Sequence, residues 1–369
     1  MRAQLYNNRQ LYKRTYSTLL LLSILSFMSC KAQPVLQHIR NNNSLQFNGR
    51  IKINDSSAIM YWPGSNMSMS FEGTKVSVVL KDEKGENYYY SIIDDSVIET
   101  IKPDTTIKIY NIAQNLKNGK HKVQLFKLTE ETAGKTWFYG FETNGRALKT
   151  PKRAERKIQF YGNSITAGYS VDDTAGDSRA TQYFNNYYTY AALTARHYDA
   201  AYFNVSKSGI GLMLSWFPVI MPELYDRLDP NDSTSKWDFS NDNTNVVVVD
   251  LMQNDSWLVN KHDHAQFKAR FGTTPPDSAY IVNSYKKFIQ TLRSKHPTAA
   301  IICTLGSMDA TKSGSPWPGY VQQATDELND PKILTYFFAY KQSAGHPKRK
   351  DHQIMANDLI KFIDANITW

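Results

Sequence analysis

The run Asn245-Val246-Val247-Val248-Val249-Asp250-Leu251 is β-branched and apolar at almost every position. A strand with one wet face alternates apolar and polar residues. A strand apolar throughout is covered on both faces, as in the parallel sheets of α/β proteins. Short apolar runs recur at about 157–162, 201–206, 299–305 and 332–338, and stretches with helical spacing separate them, most clearly at 180–198, 278–295 and 351–365. Alternating strands and helices build a parallel, doubly wound sheet, here of about five strands. From 155 to 369 the expected fold is therefore α/β, a parallel sheet sandwiched by helices.

Before residue 155 the period changes to two. Lys75-Val76-Ser77-Val78-Val79-Leu80 and Lys120-His121-Lys122-Val123-Gln124-Leu125-Phe126 alternate, and Gly64-Ser65, Gly73, Lys84-Gly85 and Asn118-Gly119 punctuate them. Residues 35–150 thus read as an all-β sandwich. Pro151-Lys152-Arg153-Ala154 is the expected linker between two domains, in line with a chain of 369 residues.

Residues 1–31 carry Lys13-Arg14 ahead of the apolar stretch Leu19 to Met28, the pattern of an export signal and too short to span a bilayer. Cys30 at its end is a candidate lipidation residue, and cleavage past Ala32-Gln33 is the other reading. Either way the expectation is an exported protein: periplasmic, a cell-surface lipoprotein or secreted. Any membrane attachment would come only through a lipid anchor. Cys303 then remains alone, as a buried small hydrophobe, so a disulfide framework is excluded. The formal charge is +9, but removing the five basic residues of the leader leaves 38 basic against 34 acidic residues, a net of +4. That balance gives no argument for nucleic acid, and Lys348-Arg349-Lys350 reads as solvated surface.

Open α/β sheets keep their sites at the carboxyl ends of the strands. In Ile158-Gln159-Phe160-Tyr161-Gly162-Asn163-Ser164 the serine falls at such an end, either as a nucleophile or only as a helix N-cap. Three more stretches follow later strands: Ser208-Gly209-Ile210-Gly211, Gln253-Asn254-Asp255 and Gly345-His346-Pro347. Each has a plain reading, as a turn glycine, an Asn-Asp turn or a loop histidine. His352 competes with His346, although its place in the first turn of a helix favours a structural hydrogen bond. Taken together, the four supply what acyl transfer requires. Ser164 is the candidate nucleophile and His346 the general base. The oxyanion donors are the N–H groups of Ser164 and Gly209 and the amide of Asn254.

With these motifs the chain resembles the SGNH-type, GDSL-like hydrolases, and more specifically carbohydrate esterase family 2. The further marks are Gly49-Arg50, Tyr61-Trp62-Pro63-Gly64-Ser65, Phe71-Glu72-Gly73-Thr74, Lys127-Leu128-Thr129-Glu130 and Tyr190-Ala191-Ala192-Leu193-Thr194-Ala195-Arg196. The resemblance implies a jelly-roll β-sandwich before an SGNH hydrolase domain. It also implies removal of O-acetyl groups from plant cell-wall polysaccharide of xylan or mannan type, without metal or cofactor. Other ester substrates, or a catalytically impaired glycan-binding protein, remain alternatives. Asn163 stands where the superfamily has Asp, Met252-Gln253 where it has Gly-Thr, and Ser343 where it has an Asp three positions before the histidine. A backbone carbonyl or the Ser343 hydroxyl is therefore expected to orient His346. Trp216, Trp257 and Trp317, all after strands, are candidate sugar contacts. His262-Asp263-His264 lacks a third ligand and is not expected to hold a metal.

Overall fold

The computed structural model describes residues 35–37, 43–149, 154–240 and 242–369. The expected leader, Cys30 and positions 151–153 of the linker lie outside the described residues. Val35 to Trp369 form one compact unit.

The first half is built from two antiparallel sheets. One has the order β3 (Ile51–Ile53), β4 (Ala58–Met60), β11 (Thr136–Thr143), β6 (Val76–Asp82), β9 (Lys108–Ala113), with β1 (Val35–Gln37) also paired to β11. The other runs β12 (Arg146–Ala147), β5 (Asn66–Gly73), β10 (Gly119–Lys127), β7 (Tyr89–Ile93), β8 (Ser96–Ile101), with β2 (Leu45–Asn48) on β5. Their inward positions, among them Met67, Met69, Phe71, Val78, Leu80, Val123, Leu125, Phe138 and Phe141, fill one core. This is the alternation expected of a sandwich.

The second half is a five-stranded parallel sheet of order β14 (Ala201–Ser206), β13 (Lys157–Gly162), β15 (Val246–Asp250), β16 (Ala300–Leu305), β17 (Ile333–Phe337). The four valines of β15 explain its sequence. Val246 and Val248 enter the core on one face, Val247 and Val249 the core on the other, and all four are fully buried. Helices cover both faces. They are α1 (Ser164–Ala167), α2 (Tyr190–His197), α3 (Met221–Leu224), α4 (Gln253–Leu258), α5 (Ala265–Phe271), α6 (Ser278–Lys295), α7 (Trp317–Asp326) and α8 (Arg349–Asn366).

The helix expected over 180–198 is shorter than its sequence suggested. It starts at Tyr190, where Thr189 caps it by accepting the N–H of Ala192. The preceding residues are spent elsewhere, because the Asn186 amide donates to the carbonyls of Thr166 and Ala167 at the end of α1. Among the described residues no helix is long and apolar enough to cross a membrane.

The halves interlock. Ile59, Tyr61 and Trp62 enter the core on one face of the parallel sheet, and Tyr90, Ile92, Phe126 and Leu128 the core on the other. Arg50, fully buried, donates to the carbonyls of Tyr225 (2.6 Å) and Arg227 (2.9 Å) and to the Tyr161 hydroxyl (3.1 Å). The Trp62 indole donates to Leu228 O at 2.8 Å. Replacing Arg50 with Met strands two carbonyls, a loss expected to cost about 2–5 kcal/mol. In denaturant, wild type is expected to unfold in one transition, and the variant to lose stability at that same transition. Two separate wild-type transitions would show that the halves are not coupled in this way.

Candidate active site

Parallel pairing sets Gly162, the last residue of β13, opposite Ser206 of β14 and Asp250 of β15. The segments that follow these three strands therefore emerge side by side, at the point where the strand order reverses and such folds place their sites. Gly162 has to be glycine, since a Cβ there would lie 2.1 Å from the Thr166 hydroxyl. Ser164 is the first residue of α1 and is not its cap. Asn163 is the cap, accepting from the N–H of Ile165 at 2.9 Å and donating to Asp250 O at 3.2 Å. The Ser164 side chain is thus released from capping, and its residue is 6 % exposed.

The Ser164 hydroxyl lies 2.9 Å from Nε2 of His346. On the other side of the ring, Nδ1 lies 2.7 Å from Oδ2 of Asp177, and the backbone N–H of His346 donates to Oδ1 of the same carboxylate at 3.1 Å. The carboxylate fixes the tautomer: Nδ1 carries the hydrogen, so Nε2 is left to accept from the serine. The ring of Tyr169 packs on the imidazole with centroids 4.4 Å apart.

This corrects the expectation for His346. Its orienting group is neither a backbone carbonyl nor Ser343, whose hydroxyl accepts from Lys341. A carboxylate from a distant loop takes the role. Spacing from the histidine held no signal for Asp177, and the only hint was the acidic loop Asp172-Asp173 to Asp177 itself. The basic run Lys348-Arg349 is likewise not free surface. Lys348 donates to the carbonyls of Ser170 (2.7 Å) and Gly176 (2.9 Å), and Arg349 pairs with Asp172, so both tie that loop to the start of α8.

The two remaining candidates follow the flanking strands. Gly209 has φ +83°, in the left-handed region that glycine adopts without strain. Asn254 lies in α4 with its amide orientation determined. Its Oδ1 accepts from the Trp216 indole at 3.0 Å, and Nδ2 donates to Ile210 O at 2.7 Å. That leaves one N–H of Nδ2 without a role in those two bonds. Asp255 was not anticipated. Its buried carboxylate takes the N–H groups of Leu212, Met213 and Leu214 at 2.7–2.9 Å, and so holds the loop after Gly209 against α4. Glu130 was also missed as a site residue. From the β-sandwich it accepts the N–H of Ser208 at 2.7 Å, and Glu131 beside it pairs with Lys207.

Other candidates separate clearly. His352 is buried, accepts the N–H of Tyr190 at 3.2 Å, and burial pushes its pKa down to about 3, so it serves the core. Trp216 is 42 % exposed beside Gly209 and Asn254. Trp257 is half-buried and donates to Asp309 at 3.1 Å. Trp317 has to be withdrawn as a sugar contact. It opens α7, is 6 % exposed, and packs in the core under the sheet. His264 caps α5 and stands edge-on to Trp216, while His262 packs on Phe267.

Burial alone would raise the Asp177 pKa. The hydrogen bond and charge of His346, its backbone N–H and nearby Lys348 outweigh burial and hold the carboxyl well below its ordinary 3.8. A depressed carboxylate contributes stability above its unfolded pKa and loses it as pH falls through the folded value. Wild type and Asp177→Asn are therefore expected to differ in denaturation midpoint at neutral pH, and the gap to shrink progressively once the pH falls below about 4, closing only well below the ordinary carboxylate range. A gap that stays constant down to acid pH would contradict the assigned hydrogen bonds of the Asp177 carboxylate.

Comparison with known proteins places the chain in a family. Residues 47–151 match the family described as carbohydrate esterase 2 N-terminal, and residues 160–331 the GDSL-like lipase/acylhydrolase family. The cellulase/esterase CelE of Acetivibrio thermocellus is 31% identical over 89% of this chain, which spans 40% of that relative's length. An acetylxylan esterase / glucomannan deacetylase of Cellvibrio japonicus is 25% identical, with 88% of this chain and 89% of that protein covered. The solved structure of a family two carbohydrate esterase from Clostridium thermocellum, in complex with cellohexaose, superposes with a TM-score of 0.77. It is 31% identical, with 87% of this chain and 98% of that chain covered. On fold and kinship alike, this chain belongs to family 2 of the carbohydrate esterases.

Proposed function

We propose that the protein is a serine esterase that removes O-acetyl groups from plant cell-wall polysaccharide of xylan or mannan type. The observation that carries this reading is the unbroken line of hydrogen bonds from Asp177 through His346 to the Ser164 hydroxyl. The Ser164 oxygen attacks the acetyl carbonyl carbon while Nε2 of His346 takes its proton. The negative charge then formed on the carbonyl oxygen is met by the N–H groups of Ser164 and Gly209 and by the amide of Asn254. His346 returns the proton to the departing sugar oxygen, leaving acetyl on Ser164. Water attacks that ester, with His346 again taking the proton. Acetate leaves, and Ser164 regains its hydrogen. Asp177 holds the ring in the required tautomer and stabilises the imidazolium between the two transfers.

The relatives named as acetylxylan esterases and glucomannan deacetylases support the substrate class. So does Trp216, a flat apolar surface beside the oxyanion elements, where a sugar ring can rest. The basic and apolar leader of residues 1–31 supports export, with Cys30 as the candidate anchor.

Acetate release from acetylated xylan and acetylated glucomannan tests the reading. Ser164→Ala is expected to abolish release and His346→Ala to reduce it as severely, while Asp177→Asn lowers turnover by roughly two to four orders of magnitude. Ser343→Ala should remain within about twofold, since that hydroxyl lies outside the proposed relay. A wild type that binds these polymers without releasing acetate would sink the esterase reading. An Asp177→Asn variant of undiminished turnover would remove Asp177 from the mechanism.

A further inference from the structure

The outer face of the sheet containing β5 and β10 does not open flat to solvent. It looks across a cleft of about 540 Å³ at α2 and the first residues of β14. Alternation along the strands sends Leu45, Met67, Met69, Val123 and Leu125 into the sandwich core. The same alternation sets Gln46, Asn48, Asn66, Ser68, Ser70 and Gln124 on the cleft. Strand register lines these up, with Gln46, Ser68 and Gln124 in one row and Asn48 beside Asn66 in the next.

These side chains are braced and still have bonds to give. Oδ1 of Asn66 accepts from Gln124 (2.9 Å) and Asn48 (3.2 Å), and its amide donates to Gly64 O at 3.0 Å. Among the described residues, the side chains of Gln46, Ser68 and Ser70 have no protein partner, and Gln124 keeps its carbonyl oxygen. Opposite the amides, an aromatic group closes one end. Phe126 lies parallel to Tyr202 and edge-on to the half-buried Tyr187, with the Arg196 guanidinium over the Tyr187 ring. The charged groups at the rim balance: Lys122 pairs with Asp95 on the sandwich, and one arginine (Arg196, which donates to Tyr187 O) and one aspartate (Asp199) line the α2 side. An anion or a cation finds no net attraction there. Neutral amides and hydroxyls in rows, at a cleft whose end is closed by the buried Phe126 and Tyr202, match a neutral ligand with many hydroxyls.

We propose that this cleft is a second carbohydrate-binding site, taking a neutral stretch of glycan chain. It is distinct from the serine site by position. Ala201 and Tyr202 lie at the amino end of β14, whereas Ser164 follows the carboxyl end of the parallel β13, about 20 Å away along a six-residue strand. The proposal stands whether or not Ser164 is an esterase nucleophile. For an enzyme that trims side groups from a polymer, holding the chain at a second point raises the effective concentration of the next acetyl group.

The test is calorimetric titration of the full chain with unacetylated cellohexaose and xylohexaose. Such sugars can also enter the serine site, so variants of both places are compared. The proposal expects a class of binding that persists in Trp216→Ala. In Gln46→Ala and in Ser70→Tyr, which fills the cleft, that class should weaken at least about tenfold. Near-ultraviolet circular dichroism identical to wild type would show that both cleft variants are folded. If Ser70→Tyr misfolds, Gln46→Ala alone decides. Two results overturn the proposal: no hexasaccharide binding that survives Trp216→Ala, or binding that survives it and is unaffected in the folded cleft variants. Either means that the cleft holds only water.

Discussion

Everything at this site depends on how one imidazole is held. His346 sits on a loop where nothing in the helix or sheet ladders fixes its ring, and a free imidazole would sample both tautomers and several rotamers. Asp177 removes that freedom by taking Nδ1–H with one carboxylate oxygen and the backbone N–H with the other. Nε2 then meets the Ser164 hydroxyl at 2.9 Å. Catalysis by a preorganised base needs this restriction, since ordering the ring during each turnover would add to the barrier.

The rest of the structure serves that geometry at increasing distance. The Asp177 loop is tied to α8 through Lys348 and Arg349. Asn163 relieves Ser164 of capping, and Asn186 takes the carbonyls at the far end of the short α1. Asp255 gathers three N–H groups of the loop after Gly209, and Glu130 reaches over from the sandwich to the N–H of Ser208. The β-sandwich is thus more than a neighbour. It supplies Arg50 and Trp62 to the shared interior and Glu130 to the edge of the site.

The sequence made some of this readable and hid the rest, for physical reasons. The valine run of β15 and the turns after β13, β14 and β15 were legible because sheet burial imposes a pattern, and because the ends of parallel strands converge. Ser164, Gly209 and Asn254 could be located that way, and His346 by the proline that follows it. Asp177 could not. It lies in an irregular loop 169 residues from its partner, where no period links one to the other. The helical spacing around 180–198 read as one long helix, yet only Tyr190–His197 forms an α-helix there, because Asn185 and Asn186 are committed to tertiary hydrogen bonds. Trp317 looked like a loop aromatic and proved to be the first residue of a packed helix.

The central claim is that Ser164 carries the acyl group under the control of His346 and Asp177. It is tested most directly by acid-quenching the protein during turnover of an acetyl ester and mapping the modified peptide by mass spectrometry. One acetyl group is expected, on the peptide containing Ser164, and none in the His346→Ala protein. Turnover without any acetylated Ser164, or with the acetyl group on another residue, would contradict it.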